Sequence, residues 1–161
     1  MDILTWLTES RFGEFCFTVL VSMIPVIELR GGIPFGVAMD LPIPAAYIAA
    51  VIGNMLPVPF IVVYIRRILQ WMRRHMPRLD HIVDLVEKKA HLKGRKVTKY
   101  KYLGLVILVA IPLPGTGAWT GALVAAFLDM PLRKAVPAIF AGVLIAGIAM
   151  LIITYGLAWI F

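Results

Sequence analysis

Charge is scarce in this sequence. Of 161 residues, 16% are Asp, Glu, Lys or Arg and 61% are hydrophobic, a balance that excludes a soluble domain of ordinary composition. Cysteine is scarcer still: Cys16 is the single thiol, which excludes an intrachain disulfide and a cysteine-rich metal site. No Walker A loop, no Ser-His-Asp arrangement and no zinc-ligand spacing occurs, so neither an ATP-driven pump nor a standard hydrolase is expected. No enzymatic activity and no cofactor are expected either. The opening Met1-Asp2-Ile3-Leu4-Thr5-Trp6 lacks the basic stretch of a cleaved signal peptide, so the chain is expected to carry its own membrane address.

The charge that is present is uneven. Twelve of the 16 Lys and Arg residues fall between Arg66 and Lys101, with three acids, Asp80, Asp84 and Glu87. The other 125 residues are nearly uncharged, room for at most about six crossings at roughly 20 residues each. Ala45 to Tyr64 and Ala135 to Phe161 read as spanning helices, with Pro57 and Pro59 kinking or unwinding the first and Trp159 anchoring the second. Two further apolar stretches are broken, one by Glu28-Leu29-Arg30-Gly31-Gly32-Ile33-Pro34 and one by Ile111-Pro112-Leu113-Pro114-Gly115-Thr116-Gly117. Backbone that leaves the helix at membrane depth is tolerated only where protein or a watery cavity satisfies it.

A constant offset of 89 residues aligns Pro25 with Pro114, Gly32 with Gly121, Asp40 with Asp129, Pro42 with Pro131 and Gly53 with Gly142. The expected architecture is therefore an all-α integral membrane protein with an inverted repeat. Each half is a re-entrant helical hairpin followed by a spanning helix, the two halves joined by a basic cytoplasmic amphipathic helix. The first repeat occupies 1–65 (hairpin about 13–40, span about 43–65), the linker 66–101, and the second repeat 102–161 (hairpin about 102–128, span about 133–160). The positive-inside rule places 66–101 in the cytoplasm, with Arg133 and Lys134 on the same side. A multi-pass protein of the inner (plasma) membrane is expected. Leu79, Ile82, Val83, Val86 and Ala90 recur at helical spacing, as in an amphipathic helix on the inner leaflet rather than a nucleic-acid site. His75, His81 and His91 put no clear ligand pair on one face, so no metal is expected.

Glu28 and Arg30 are the leading functional candidates, because ionisable groups at membrane depth mark a pathway, a proton relay or a counter-ion. Glu28 titrates and is the candidate proton-coupling group. Arg30 keeps its charge and offers a planar fork to phosphate or carboxylate. The structural alternative is a pair that locks the first hairpin to the opposite half. Gly31, Gly32, Pro114, Gly115, Thr116 and Gly117 are expected to form turns whose outgoing helices present free N–H groups to an anion. Gly36 and Gly121 are assigned to helix packing. Asp40 and Asp129 are expected to cap the following helices. Asn54, in the middle of a span, needs a partner, expected to be backbone freed by a hairpin turn; Trp119 and Thr120 either line a cavity or fill the core, and Asn54 and Trp119 join the substrate-binding set.

The two broken motifs, with Ala118-Trp119-Thr120-Gly121-Ala122-Leu123 continuing the second, resemble the small multidrug export proteins, a family akin to the DedA or SNARE-associated membrane proteins. The resemblance runs from about Pro25 to Gly156. It implies facing re-entrant hairpins and, as in DedA relatives, proton-dependent movement of lipids such as polyprenyl phosphate. It carries over Glu28, Arg30 and the Pro114 to Gly117 turn. Thr116 stands where the DedA pattern has an acid. The function expected is transport of a polyprenyl phosphate or other anionic lipid, with or without proton coupling; the alternatives are a membrane scaffold and a small-molecule exporter. The expected partner is a membrane lipid, with pairing to a second copy as one way to bury polar hairpins.

Overall fold

The computed structural model describes residues 10–75, 94–113 and 116–156. All regular structure among them is helical: α1 (Arg11–Ser22), α2 (Glu28–Ala38), α3 (Ile43–Met55), α4 (Val58–His75), α5 (Gly94–Ala110), α6 (Ala118–Phe127) and α7 (Leu132–Leu151), followed by a π-helical turn, Ile152–Gly156. Two stretches, Ile43–Ile68 and Leu132–Gly156, are long and apolar enough to cross a membrane. The first divides at Leu56-Pro57, where proline has no N–H to continue the ladder. The interfacial helix expected near 79–90, together with His81 and His91, lies outside the described residues.

Local chemistry accounts for the ends of the elements. Ser10 caps α1, its hydroxyl accepting from Gly13 N at 3.0 Å. Asp40 and Asp129 do not cap the helices that follow them, as the Asp-x-Pro spacing led us to expect; no side chain caps α3 or α7. They end the helices before them instead. Asp40 takes φ 66 and Asp129 φ 48, the left-handed position that closes a Schellman motif. Leu41 N then reaches Gly36 O at 3.1 Å, and Met130 N reaches Ala125 O at 2.9 Å. Burial of Leu41 and Met130 completes both motifs.

Small residues set how closely the helices approach. In the first half, a Cβ on Gly32 would collide with the Ser22 hydroxyl, and one on Gly36 would crowd Thr18. Ser22 and Thr18 are fully buried, and each hydroxyl donates to a carbonyl one turn back, to Thr18 O at 2.7 Å and to Glu14 O at 2.8 Å. With its hydroxyls satisfied internally, α1 offers α2 a small, quiet face. Gly53 abuts the Val19 carbonyl, and Gly142, 89 residues later, abuts the Val106 carbonyl. Shifting α1, α2 and α3 by 89 gives 100–111, 117–127 and 132–144, which fall on α5, α6 and the first part of α7.

The core lies where the halves meet, with Leu29, Ile33, Leu105, Val109, Ile139 and Val143 closed off from the surface. Tyr47 bridges α3 to α7 by donating to Leu144 O at 3.0 Å. Outward faces carry Ile48, Ile52, Phe60, Ile107, Ile145 and Ile148, a surface suited to lipid chains rather than water. The helices also run past the expected span boundary. α4 continues through Arg66 to His75, because Arg, Gln and Met end an apolar run without ending a helix.

Candidate functional site

Two breaks in the helical ladder face each other. In the first, α1 stops at Ser22 and a turn over residues 23–27 leads into α2, held by Ile27 N to Ile24 O at 3.2 Å and Glu28 N to Ile24 O at 2.9 Å. Glu28 itself has φ 47, a left-handed conformation that costs a non-glycine residue roughly 1–2 kcal/mol. In the second, α5 stops at Ala110 and the chain re-enters helix at Ala118 through Gly117, with φ 125. Glu28 and Gly117 are 89 residues apart and both take a positive φ, so matching positions at the two breaks carry an acid in one half and a glycine in the other.

The glycine lets the acid in. A Cβ at Gly117 would run into the Glu28 carboxylate, and Glu28 Oε1 accepts from Trp119 N at 3.3 Å. Glu28, 5% exposed, thus sits at the N-terminal end of α6, where unpaired amides and the helix dipole favour negative charge. The Trp119 ring returns the contact, its Nε1 donating to Met23 O at 3.2 Å in the first turn.

Arg30 makes the second cross-link. Its Nη2 donates to Thr116 O at 2.8 Å and to Thr116 Oγ1 at 2.7 Å. The Thr116 hydroxyl lies 2.6 Å from Ile111 O and 2.8 Å from Leu113 O, so it can donate to either while accepting from Arg30. One threonine therefore fastens its own turn and receives the arginine of the other half.

The structure thus brings Glu28, Arg30, Thr116, Gly117 and Trp119 together. Gly31 and Gly32 lie elsewhere, inside α2, where a Cβ would meet Ile27 and Ser22 respectively. Their small size serves packing, because the turn comes before Glu28 rather than after Arg30. Pro114 and Gly115 lie outside the described residues. Asn54 is 3% exposed, and its Oδ1 has no hydrogen-bond donor among the described residues. The described residues contain no group of three or more His, Cys, Asp or Glu able to hold a metal ion.

Sequence reading missed a further contact to the second half, made from the start of the basic segment. Arg66 Nη2 donates to Met130 O, and Arg66 Nε lies 3.0 Å from Asp129 Oδ1 but out of line for a hydrogen bond, so that contact is an ion pair. Nearby, Lys101 and Lys134 both lie over the Tyr102 ring, at 5.3 and 5.7 Å from its centre. Arg66 was legible only as part of a basic run. The Thr18-x-x-x-Ser22 spacing was the one sequence signal for the face that receives the α2 glycines.

No curated protein and no solved structure matches the chain. A family model does match, over residues 28–149, beginning at Glu28, just after the first turn, and taking in the second turn, Asn54 and most of α7. That span is well over half the chain, and its two membrane-length helices agree with a membrane export family. The protein therefore belongs to the family described as "Putative small multi-drug export protein".

Proposed function

We propose that the protein is a membrane transporter for amphipathic substrates with an anionic head group, such as a polyprenyl phosphate or an anionic phospholipid, and that Glu28 and Arg30 form its head-group site. The observation that carries this reading is the Glu28 carboxylate lodged against the Trp119 N–H in the space left by Gly117. A helix start of this kind suits an oxyanion, and here the chain supplies its own. A substrate anion and ionised Glu28 compete for the same place. Protonation of Glu28 removes the competing charge, so head group and proton are taken up together and released together. Arg30 spends one nitrogen on Thr116, and the rest of its fork, without a partner among the described residues, is left for a phosphate oxygen.

The matching helix boundaries and the positive φ at Asp40, Asp129, Glu28 and Gly117 support an inverted repeat. On this reading, α1–α2 and α5–α6 are re-entrant hairpins that enter from opposite faces of the inner membrane and meet near its midplane. Arg66 beside Asp129, and Lys134 beside Lys101, support a common end for the basic segment and the start of α7. Positive charge assigns that end to the cytoplasm. The same site would take an anionic amphipathic drug, a reading in keeping with the export of drugs that the family description names. A scaffold is the second reading, favoured by the fact that both charged side chains already join the two halves.

Binding decides between them. Protein in detergent, examined by native mass spectrometry, should retain polyprenyl phosphate in preference to a neutral polyprenol of equal length. Arg30→Lys should lose most of that preference, because the fork is lost while the charge remains. Equal binding of the two lipids, or full tolerance of Arg30→Lys, would favour the scaffold.

A further inference from the structure

Among the described residues near the site, Asn54 is the buried side chain whose polar atom is unused. Its Oδ1 lacks a donor at 3% exposure, and a buried acceptor left unpaired costs about 1–3 kcal/mol. The register of the helices says what stands beside it. A Cβ on Gly36 would touch Ala46 and one on Gly32 would touch Ala50, so α2 and α3 run antiparallel with one turn of α2 against one turn of α3. One more turn brings Glu28 level with Asn54. α3 also packs against α6, the helix whose first turn receives the Glu28 carboxylate.

The other half supplies a control. Position 143, 89 residues after Asn54, is Val143, buried at 1% exposure, and position 117, 89 residues after Glu28, is Gly117. The fold is therefore satisfied by an apolar residue at this place. The amide and the acid occur together in the first half, and both are missing from the second.

We infer that Asn54 Oδ1 is the acceptor for the proton of Glu28 in its carboxylic-acid form. The carboxyl then has two partners matched to its two states: the Trp119 N–H and the α6 dipole hold the carboxylate, and the Asn54 amide oxygen holds the acid. Asn54 is a positioning residue that sets how readily Glu28 is protonated. The charged groups on the helices packed around Glu28 are Arg30 on α2, Arg11 and Glu14 toward the other end of α1, and Arg133 and Lys134 at the start of α7. α3 and α6 carry none, and Tyr47 on α3 is bonded to Leu144 O. The inference deepens the proton-coupled reading above and rests on it for its role in transport, but not for its test.

The test is an infrared titration of the purified full chain in lipid nanodiscs, with the Glu28 carboxyl band assigned by its loss in Glu28→Gln. Asn54→Val and Asn54→Thr have nearly the same shape and differ by one oxygen. Asn54→Val should require about tenfold more protons to reach the midpoint, since the acid loses its acceptor. The carbonyl stretch of the remaining acid should move to higher frequency. Asn54→Thr should recover most of both effects. Asn54→Val should melt no lower than the wild type, and Asn54→Leu replaces it if it does not purify. Identical titrations in wild type and Asn54→Val, equal shifts in Val and Thr, or no protonation of Glu28 in the wild type would each overturn the inference. A normal titration in a protein that moves no lipid would overturn the transport reading and leave the Asn54 contact standing.

Discussion

Gly117→Ala tests the geometry of the site at its tightest point. Two costs arise, and they can be separated. The backbone at Gly117, φ 125 and ψ −166, lies in a region that is nearly exclusive to glycine, which costs an alanine about 1–3 kcal/mol. The new methyl group would also occupy the space of the Glu28 carboxylate and push it off the Trp119 N–H. A charge-assisted hydrogen bond of this kind is worth about 1.5–3 kcal/mol. The single variant should therefore lose about 2.5–6 kcal/mol, a large share of the stability of a small domain. In a Glu28→Ala background the clash has no partner, and Gly117→Ala should cost only the backbone part. A double-mutant cycle, read by unfolding in detergent, should give a coupling of about 1.5–3 kcal/mol. Additive effects would refute the reasoning, because they would mean that the carboxylate does not occupy the space beside Gly117.

Four further expectations follow from the same structure. Asp40→Gly should stabilise the fold by up to about 1 kcal/mol in a thermal melt, since glycine takes the left-handed corner without strain. Asp129→Gly should gain less, because it also gives up the Arg66 ion pair, itself small at 75% exposure of the Asp129 side chain. Gly32→Ala should cost about 1–3 kcal/mol by forcing α2 away from Ser22, and Ser22→Ala in the same chain should recover part of that loss. Cysteines placed singly at 101 and 134 should react with an impermeant reagent from the same side of the membrane; labelling from opposite sides would sink the proposed topology. Glu28→Gln, a mimic of the protonated acid, should bind an anionic lipid at least as well as the wild type and with little dependence on pH. A pH dependence equal to the wild type's would remove Glu28 from the coupling.

How much of this was legible beforehand follows from the range of the interactions. Apolar run lengths announced helices long enough to cross a membrane, because hydrophobicity and length are local properties. The breaks at 23–27 and 111–117 were announced by proline and glycine for the same reason, though the first turn closes ahead of Glu28 rather than at Gly31-Gly32. The Asp-x-Pro motif was ambiguous. Aspartate serves as an N-cap and also tolerates the left-handed corner, and only the Schellman hydrogen bonds of Leu41 and Met130 decide between the two.

The sequence by itself determined a helical membrane protein with two interrupted segments, one titratable acid and one arginine at the first of them, and an 89-residue correspondence between its halves. Only the tertiary structure decided what those charges touch. Glu28 meets Trp119 across 91 residues of chain, Arg30 meets Thr116 across 86, and Arg66 meets Met130 across 64. No local pattern encodes such pairings. They depend on how closely helices approach, and that distance is set by Gly32, Gly36 and Gly117 against Ser22, Thr18 and the Glu28 carboxylate. The missing Cβ atoms are visible in the sequence, but what fills the space they leave is fixed only when the two halves pack.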